Sequence, residues 1–343
     1  MYKPDYAFEG QPATGETMAV APGVAWLRMP LPFKLDHINL WLLDDGDGWT
    51  LVDTGIDSDD VRDAWQQIEQ LRFADKPPKR LIVTHFHPDH VGLAGWLAER
   101  FDIPLWMPLG EWTQGRMHSL DTAETIGDSY RRFYKSAGFD ETMLDAVEKR
   151  MGRYGQSISP IPAHFHRISH GDNIQVGDYH WRVIVGTGHA PEHACLYCEQ
   201  LGVLISGDQV LPRISPNVSV WPQEPDANPL QQFLASLDNF RDLPEDSLVL
   251  PSHDWPFRGL HGRLDDLAGH HRDRLDETEG LCAEPATGVE VLRGLFKREL
   301  DNHQLFFAIG ESLAHLHHLA SEGRVERRVD GEGVYRFQRR RAA

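Results

Sequence analysis

The feature that most restricts this chain is the segment VTHFHPDHVG at residues 83–92, in which the apolar run LIVT leads directly into three histidines and an aspartate. In an extended segment that leaves a strand, alternate side chains point to the same side, so His85 and His87 can bind one metal ion. A turn follows, and Asp89 and His90 then begin a helix from which they can reach a second ion. Most of the 19 histidines in the chain are expected to be ordinary surface or core residues. This spacing at the end of a strand instead predicts a metal site.

Such a site needs further ligands, because zinc takes about four nitrogen, oxygen or sulfur donors. Three candidates each follow a strand-like run: His189 in VGTGHAPEH, Asp208 in LISGDQV and His253 in LVLPSHDW. Glycines beside His189 and Asp208 allow the backbone to turn sharply and to approach other groups closely. Three donors in equivalent positions strengthen the prediction of a metal site.

Strand-like and helix-like segments alternate twice along residues 20–260, which predicts sheets covered by helices in a layered α/β body. Residues 58–72 have one apolar stripe and a capping residue, Ser58, so they are predicted to form a helix. Residues 109–160 interrupt the alternation with helical patterns rich in tyrosine and arginine. We interpret them as a helical insertion, with a lid over the site as one possible role.

The pattern changes again after residue 260. Helices are predicted over 262–279, 288–300 and 304–323, the last of them amphipathic, and residues 324–337 are typical of a β-hairpin around the turn DGEG. Three helices followed by a hairpin are the order of a winged-helix unit. The sequence therefore predicts two domains, residues 1–260 and 261–343, with the insertion in the first.

The charge balance and the cysteines exclude several classes of protein. The formal net charge is −18, which disfavours broad contact with phosphate backbones. Cys195 and Cys198 lie in the strand-like ACLYC, where residues three apart face opposite sides, and with Cys282 they are predicted to be packing residues. The first residues lack a secretory signal and no apolar run reaches about 18 residues. We therefore expect a soluble cytoplasmic protein that does not enter membranes.

The motifs THFHPDH, GHAPEH, SGD and PSH, together with VDTG at 52–55, resemble those of the metallo-β-lactamase fold superfamily. The resemblance covers about residues 20–260 and implies an αββα sandwich with metals held at one edge between the two sheets. The C-terminal segment, through GEGVYRF and the preceding helix, resembles the winged-helix domain of the subfamily related to human β-lactamase-like protein two. The resemblance thus implies an α/β sandwich with a helical insertion and a small C-terminal winged-helix domain.

The resemblance also implies a complete set of ligands for two divalent metal ions. Carried over position by position, the ligands of one metal are His85, His87 and His189, those of the second are Asp89, His90 and His253, and Asp208 bridges both. The set is similar to that of glyoxalase II, tRNase Z and related dinuclear hydrolases. True β-lactamases lack the bridging aspartate, so antibiotic hydrolysis is not expected as the main activity. Mixed histidine and carboxylate ligands favour zinc, with iron or manganese as alternatives.

Two divalent cations lower the pKa of a shared water, so the predicted nucleophile is a metal-bridging hydroxide. Asp89 and Asp208 are the predicted catalytic residues, and Asp53 is a candidate acceptor that would orient a ligand histidine. The predicted activity is hydrolysis of a small-molecule thioester, ester or lactone. Two alternatives stay open: a metal-dependent ribonuclease or phosphodiesterase, and a non-catalytic interaction protein stabilised by metal.

Contacts to the substrate are less well defined by the sequence. Arg213 follows Asp208 closely and is a candidate contact for an anionic substrate, although an ordinary surface arginine is an equal reading. Tyr130, Arg131 and Tyr134 in the insertion either line a cleft or pack a helix onto the body. A small-molecule substrate is the expected partner, nucleic acid is the less favoured one, and a homodimer is an open alternative.

Overall fold

The computed structural model of the chain describes residues 2–340, apart from the side chains of residues 302 and 303. Contacts within this part of the chain define two compact units. The first unit contains the described residues through Leu120, together with Arg153–Pro216 and Ser236–Leu264. The second contains Asp121–Gly152, Asn217–Ala235 and the described residues from Asp265 onward. Each unit is therefore built from segments that are distant in the sequence.

The first unit contains most of the strands and four helices. Its strands are β1 (Asp5–Tyr6), β2 (Met18–Ala21), β3 (Val24–Pro30), β4 (His37–Asp44), β5 (Trp49–Val52), β6 (Pro78–Ile82), β7 (Leu105–Met107), β8 (His166–Arg167), β9 (Asn173–Val176), β10 (Tyr179–Gly186), β11 (His193–Cys198), β12 (Val203–Gly207), β13 (Leu248–Pro251) and β14 (Phe257–Arg258). Its helices are α1 (Asp59–Ile68), α2 (Pro88–Val91), α3 (Ala94–Phe101) and α4 (Leu109–Leu120). The remaining elements of the chain are α5 (Ala123–Ser136), α6 (Glu141–Glu148), α7 (Pro229–Ser236), α8 (Leu260–Leu281), α9 (Gly288–Leu295), α10 (Asn302–Ser321), β15 (Val325–Val329) and β16 (Tyr335–Arg339).

Within residues 2–340 the strands of the first unit form two seven-stranded sheets, ordered β1-β14-β13-β12-β11-β10-β9 and β2-β3-β4-β5-β6-β7-β8. The apolar side chains between them form one buried cluster to which both sheets contribute, with Trp26 and Trp41 from one sheet and Trp181 and Leu196 from the other. Helices flank the sheets, as the αββα sandwich predicted from the motifs requires. The fold prediction is confirmed.

The outer face of the β2–β8 sheet packs against α1 and α3. Ser58 caps α1 by accepting a hydrogen bond from the Val61 amide, as its position in the sequence predicts. Trp65 of α1 is buried and donates through its indole nitrogen to the Thr54 carbonyl at 2.8 Å. This contact fixes α1 beside the loop that follows β5, and that loop leads into the site.

Two parallel strand pairs bring the carboxyl ends of several strands to one edge of the sandwich. β5 is parallel to β6, and β12 is parallel to β13. β10 and β12 are both antiparallel to β11, so they run in the same direction. Loops that leave these strands therefore meet at that edge, and all the predicted ligands lie on these loops or directly after them.

In the second unit, α5 and α6 pack with each other, α9 packs with α10, and β15 pairs with β16 as a hairpin. Thr287 and Glu290 form a reciprocal capping box at the start of α9. The order α8, α9, α10 and hairpin agrees with the sequence prediction, although α9 ends at Leu295, earlier than expected. The predicted insertion at 109–160 is divided, because α4 belongs to the first unit and α5 and α6 to the second.

The expectation for the cysteines is met. Cys195, Cys198 and Cys282 are all free and buried, so they are packing residues. Among the helices that the structure describes, none combines the length and the apolar character needed to cross a bilayer.

Candidate metal centre

The HFHPDH segment forms the loop and helix after β6. His87 is the N-cap of α2, and Pro88 occupies the first turn, where its missing amide hydrogen costs nothing. Asp89 and His90 are the next residues of that helix, so they point into the site from a different direction than His85 and His87. His85 and His90 are fully buried, whereas His87 and Asp89 keep some exposure. The path predicted for this motif, a strand followed by a turn and a helix that begins before Asp89, is confirmed.

The first group of donors consists of His85, His87, His189 and Asp208, whose ligand atoms lie within 4.8 Å of one another. His85 Nε2 lies 2.9 Å from His87 Nδ1 and 3.3 Å from His189 Nε2. His189 Nε2 in turn lies 3.3 Å from Asp208 Oδ2. Ring nitrogens at these separations point toward a common centre.

The second group consists of Asp89, His90 and His253, also within 4.8 Å of one another. His253 Nε2 lies 3.5 Å from Asp89 Oδ2, and His90 Nε2 lies 3.7 Å from the same oxygen. The Nδ1 of His253 donates a hydrogen bond to the backbone carbonyl of His37 at 2.9 Å. The ring is therefore oriented so that Nε2, the nitrogen available to a metal ion, faces Asp89 and Asp208.

Asp208 belongs to the first group and also approaches the second. Its Oδ2 faces His189, while its Oδ1 lies 3.5 Å from His90 Nε2 and 3.4 Å from His253 Nε2. A carboxylate that directs one oxygen to each group is the arrangement expected of a residue shared between two ions.

The donor set fits divalent cations. Within the described part of the chain, His90 Nε2 and Asp208 Oδ1 are buried and have no hydrogen-bond partner. A buried polar atom without a partner costs on the order of 1–3 kcal/mol. Two such atoms, both facing the same space among imidazoles and carboxylates, are accounted for if cations bind there.

The electrostatics of the cluster differ between its two halves. Burial, together with the neighbouring His90 and His87, lowers the pKa of His85 well below its usual value. Burial would also lower the pKa of His253, but Asp208 and Asp89 outweigh it and raise that pKa to about 10. Burial would raise the pKa of Asp89, yet His90 and His253 lower it to about 2. Without cations the site is thus stabilised by contacts between its own carboxylates and imidazoles.

Asp53 supports His90 from behind. One oxygen accepts a hydrogen bond from the His90 Nδ1 at 2.8 Å, and the other accepts from the Thr84 amide at 2.8 Å. Its backbone has φ of 62°, a left-handed conformation that is rare and strained for a non-glycine residue. The strained turn directs the carboxylate inward, as predicted for the VDTG motif.

Gly207 explains how the SGD turn approaches the rest of the site. It has φ of +53°, and a Cβ there would lie 2.3 Å from the His193 ring. His193 Nε2 accepts a hydrogen bond from the Asp208 amide at 3.0 Å. The glycine therefore allows His193 to hold the backbone of Asp208, which gives His193 a supporting position.

Sequence reasoning missed Glu111. This residue is fully buried in the first turn of α4, and its carboxylate accepts hydrogen bonds from the amides of Phe86 and Glu192. Burial raises its pKa to about 8, although these two donors act in the opposite direction. The only sequence signal is a glutamate at an inward position of a helix, and such a position does not reveal its distant partners.

The predicted substrate contacts have mixed outcomes. Arg213 is exposed and interacts with the Tyr6 hydroxyl, which lies 2.8 Å from the carboxylate of Asp254, the neighbour of His253. Arg131 instead pairs with Glu141 and Glu148, and it joins α5 to α6.

Tyr134 is buried within the second unit, with its ring 5.1 Å from that of Phe139 and 5.6 Å from that of Phe306. Arg131 and Tyr134 therefore serve helix packing, which was one of the two readings of the insertion.

Comparison with known proteins assigns two consecutive segments of the chain to two family models. Residues 34–253 match the metallo-β-lactamase superfamily, and residues 275–340 match the metallo-β-lactamase-like C-terminal domain. The crystal structure of a β-lactamase domain protein from Burkholderia ambifaria is 44% identical, with a TM-score of 0.91 and 98% of each chain covered.

Two curated relatives differ in how much they share. The probable metallo-hydrolase YqjP of Bacillus subtilis is 24% identical over 90% of this chain and 96% of its own length. A hydroxyacylglutathione hydrolase of Nitrosomonas europaea is 28% identical over 87 residues, which are 25% of this chain and 30% of that protein.

Proposed function

Because this chain belongs to the metallo-β-lactamase superfamily and is a metal-dependent hydrolase, we propose that it uses two divalent metal ions to hydrolyse a small-molecule thioester, ester or lactone. The observation that carries the proposal is the placement of Asp208, whose two oxygens face two separate groups of histidine and aspartate donors. A site for one ion would not need a shared carboxylate.

In this proposal His85, His87 and His189 hold one ion, Asp89, His90 and His253 hold the other, and Asp208 contacts both. When bound, such cations lower the pKa of water and stabilise the negative charge that develops on the substrate oxygen. The donor types suit zinc, iron or manganese, and we favour zinc.

The protein groups have separate tasks. Asp53 holds the His90 ring so that its Nε2 faces the site, and the His37 carbonyl does the same for His253. Asp89 keeps partial exposure at the mouth of the site, so it can accept a hydrogen bond from the attacking water and orient it. Asp208 keeps the two groups of donors at a fixed separation.

Several features support a small acyl substrate. One relative that shares 25% of this chain is named a hydroxyacylglutathione hydrolase. Four arginines of the C-terminal hairpin are paired with carboxylates: Arg324 with Asp276 and Glu279, Arg327 with Asp226, Arg328 with Glu326, and Arg336 with Glu290 and Asp330. Paired arginines offer little free charge to a phosphate backbone, so a ribonuclease or phosphodiesterase is the less favoured alternative.

The remaining assignments are part of the same proposal. We propose residues 1–260 as the hydrolase domain and residues 261–343 as a winged-helix-like domain, in agreement with the order of α8, α9, α10 and the hairpin. The cytoplasmic location and a homodimer stay predictions.

The proposal is tested by metal analysis and by a substrate panel. We expect about two divalent ions per chain, and turnover of one or more members of a panel of thioesters, esters and lactones, assayed beside single-stranded RNA and a phosphodiester. One ion per chain in metal-replete buffer would contradict the dinuclear site. Cleavage of RNA alone, abolished in His87→Ala, would replace the proposed substrate class with the nuclease alternative.

A further inference from the structure

The metal-binding loop between β6 and α2 is held at its centre by two side chains from outside the motif. The residue between His85 and His87 is Phe86, and its amide donates to Glu111 Oε2 at 3.0 Å. The carbonyl of Phe86 accepts a hydrogen bond from the Tyr154 hydroxyl. Both polar groups of this one residue are therefore fixed by side chains.

Glu111 also reaches a second loop. Its other oxygen accepts from the Glu192 amide at 2.5 Å, in the GHAPEH motif three residues after His189. A second hydrogen bond joins the same two segments, because the carboxylate of Glu192 accepts from the Gly110 amide at 2.6 Å. One buried carboxylate thus connects the loop that carries His85 and His87 to the loop that carries His189.

Tyr154 approaches this point closely because α4 has a glycine there. A Cβ on Gly115 would lie 3.3 Å from the Tyr154 hydroxyl and 2.8 Å from Ile161. The ring of Tyr154 also lies against Phe86 and His118, with centroids 6.2 Å and 5.5 Å away. The hydroxyl is thereby directed at the backbone of the metal-binding loop, away from solvent.

We propose that Glu111 and Tyr154 are positioning residues that set the geometry of three donors of the first group, His85, His87 and His189. This inference rests on the proposed function. It also assigns a role to part of the predicted insertion at 109–160: the two ends of the insertion, α4 and the segment around Tyr154, belong to the first unit and hold the ligand loops.

The physical basis is the rigidity of a buried side chain whose two oxygens accept hydrogen bonds from two different loops. A buried amide that loses its acceptor is costly, so both loops are held to this side chain. A metal ligand that is displaced by about 1 Å loses much of its affinity, so residues that orient ligands typically affect metal affinity by about 10–100-fold. Glu111 contacts the two loops directly, so it is expected to act at the upper part of this range.

The experiment measures metal binding rather than turnover alone. In the full chain loaded with Co²⁺, we expect Glu111→Gln to weaken Co²⁺ affinity by about 10–100-fold in chelator competition, and to change the visible d–d absorption. A glutamine offers one acceptor oxygen instead of two, so one of the two amides loses its partner. Substrate turnover by the zinc-loaded enzyme should fall through kcat more than through KM.

Tyr154→Phe is the second variant, and it removes one hydrogen bond while it keeps the ring. We expect it to alter the Co²⁺ spectrum in the same direction by a smaller amount. It remains decisive if Glu111→Gln does not fold.

Glu311→Gln is the matched control. Glu311 lies on α10 in the second unit, and burial raises its pKa to about 7, as burial raises that of Glu111. This control should leave both metal affinity and spectrum unchanged.

The inference is overturned if folded Glu111→Gln and Tyr154→Phe have the affinity and the Co²⁺ spectrum of the unaltered protein. It is equally overturned if Glu311→Gln changes them as much, since any buried glutamate would then have the effect. These measurements need no substrate. If the protein hydrolysed no member of the panel, the proposed function would be refuted, but this inference would still be decided by the metal affinities and the Co²⁺ spectra.

Discussion

Among the residues that the structure describes, two clusters of buried histidines lie one in each unit, and they differ in the partners of the imidazoles. In the first unit, His90 and His253 face the carboxylates of Asp89 and Asp208. In the second unit, His271 Nδ1 lies 3.3 Å from His315 Nε2, and His315 Nδ1 donates to the backbone carbonyl of Glu311. Among the described residues, only the first unit provides groups of three or more donors close enough to share an ion.

The contrast extends to the protonation of the two clusters. Facing carboxylates raise the pKa of His253 to about 10 against the effect of burial. Burial and the neighbouring His315 lower the pKa of His271 to about 2, and burial lowers that of His315 to about 4. Buried histidines by themselves are thus core residues, and it is the interleaved carboxylates that make a metal site.

The strongest test of this contrast removes the carboxylate that both donor groups share. We expect Asp208→Ala to lower kcat/KM by roughly 10²–10³-fold or more, because His189, His90 and His253 lose their common partner. Elemental analysis should also show fewer ions per chain.

The matched change in the second cluster is His315→Gln, which should leave the ion count unchanged and activity within about threefold, as expected for distant and independent sites. If the two variants lost metal equally, the distinction between the clusters would fail.

A smaller effect is expected when only the orientation of a ligand changes. Asp53→Asn keeps the size of the side chain but removes the charge that accepts from His90 Nδ1. We expect metal affinity to fall by about 10–100-fold, as is typical for carboxylates that orient a ligand histidine. Chelator competition measures this directly. Unaltered affinity would mean that a neutral acceptor is enough to orient His90, just as the neutral carbonyl of Glu311 accepts from His315 Nδ1.

The smallest effect concerns the pH dependence of stability. His271 and His315 have pKa values in the folded protein below the unfolded value of about 6.5, so the unfolded chain binds more protons as the pH falls. Their contribution to the free energy of unfolding is fully present above about pH 6.5, and it is lost as the pH falls toward about 4. The loss is about 1 kcal/mol per histidine between pH 7 and pH 5.5.

Between pH 7 and pH 5.5, the free energy of unfolding of His315→Gln should therefore fall by about 1 kcal/mol less than that of the unaltered chain, because one of the two histidines is gone. Urea unfolding at the two pH values measures the difference. An equal loss in both proteins would show that His315 is not held neutral in the folded state.

Much of the site could be predicted from local patterns. The strand-end position of HFHPDH fixes the directions of His85 and His87, and proline after His87 starts the helix that turns Asp89 and His90 inward. The cap at Ser58 and the amphipathic helix α10 were equally local, because each depends on neighbours within a few residues. The placement of Asp53 followed from the resemblance and from its position after a strand.

Other features had no local signal. Arg131 and Tyr134 have the composition of a ligand-binding surface, yet they pack within the second unit. The insertion was predicted as one segment because its helical pattern is continuous, whereas the chain distributes it between two units. The pattern of apolar residues in a sequence identifies which side of a helix faces inward, but it does not identify the residues that this side contacts.

The sequence by itself determined the fold, the order of the metal-binding motifs and the residue types of the donor set, because strand ends, turns and glycines are encoded by adjacent residues. Only the tertiary structure decided that Glu111 connects two of the ligand loops, and that, among the described residues, the buried histidines of the second unit form no group of three donors close enough to share an ion. Those outcomes depend on which distant segments are brought into contact, since burial and electrostatic interaction act through distance in space and not along the chain.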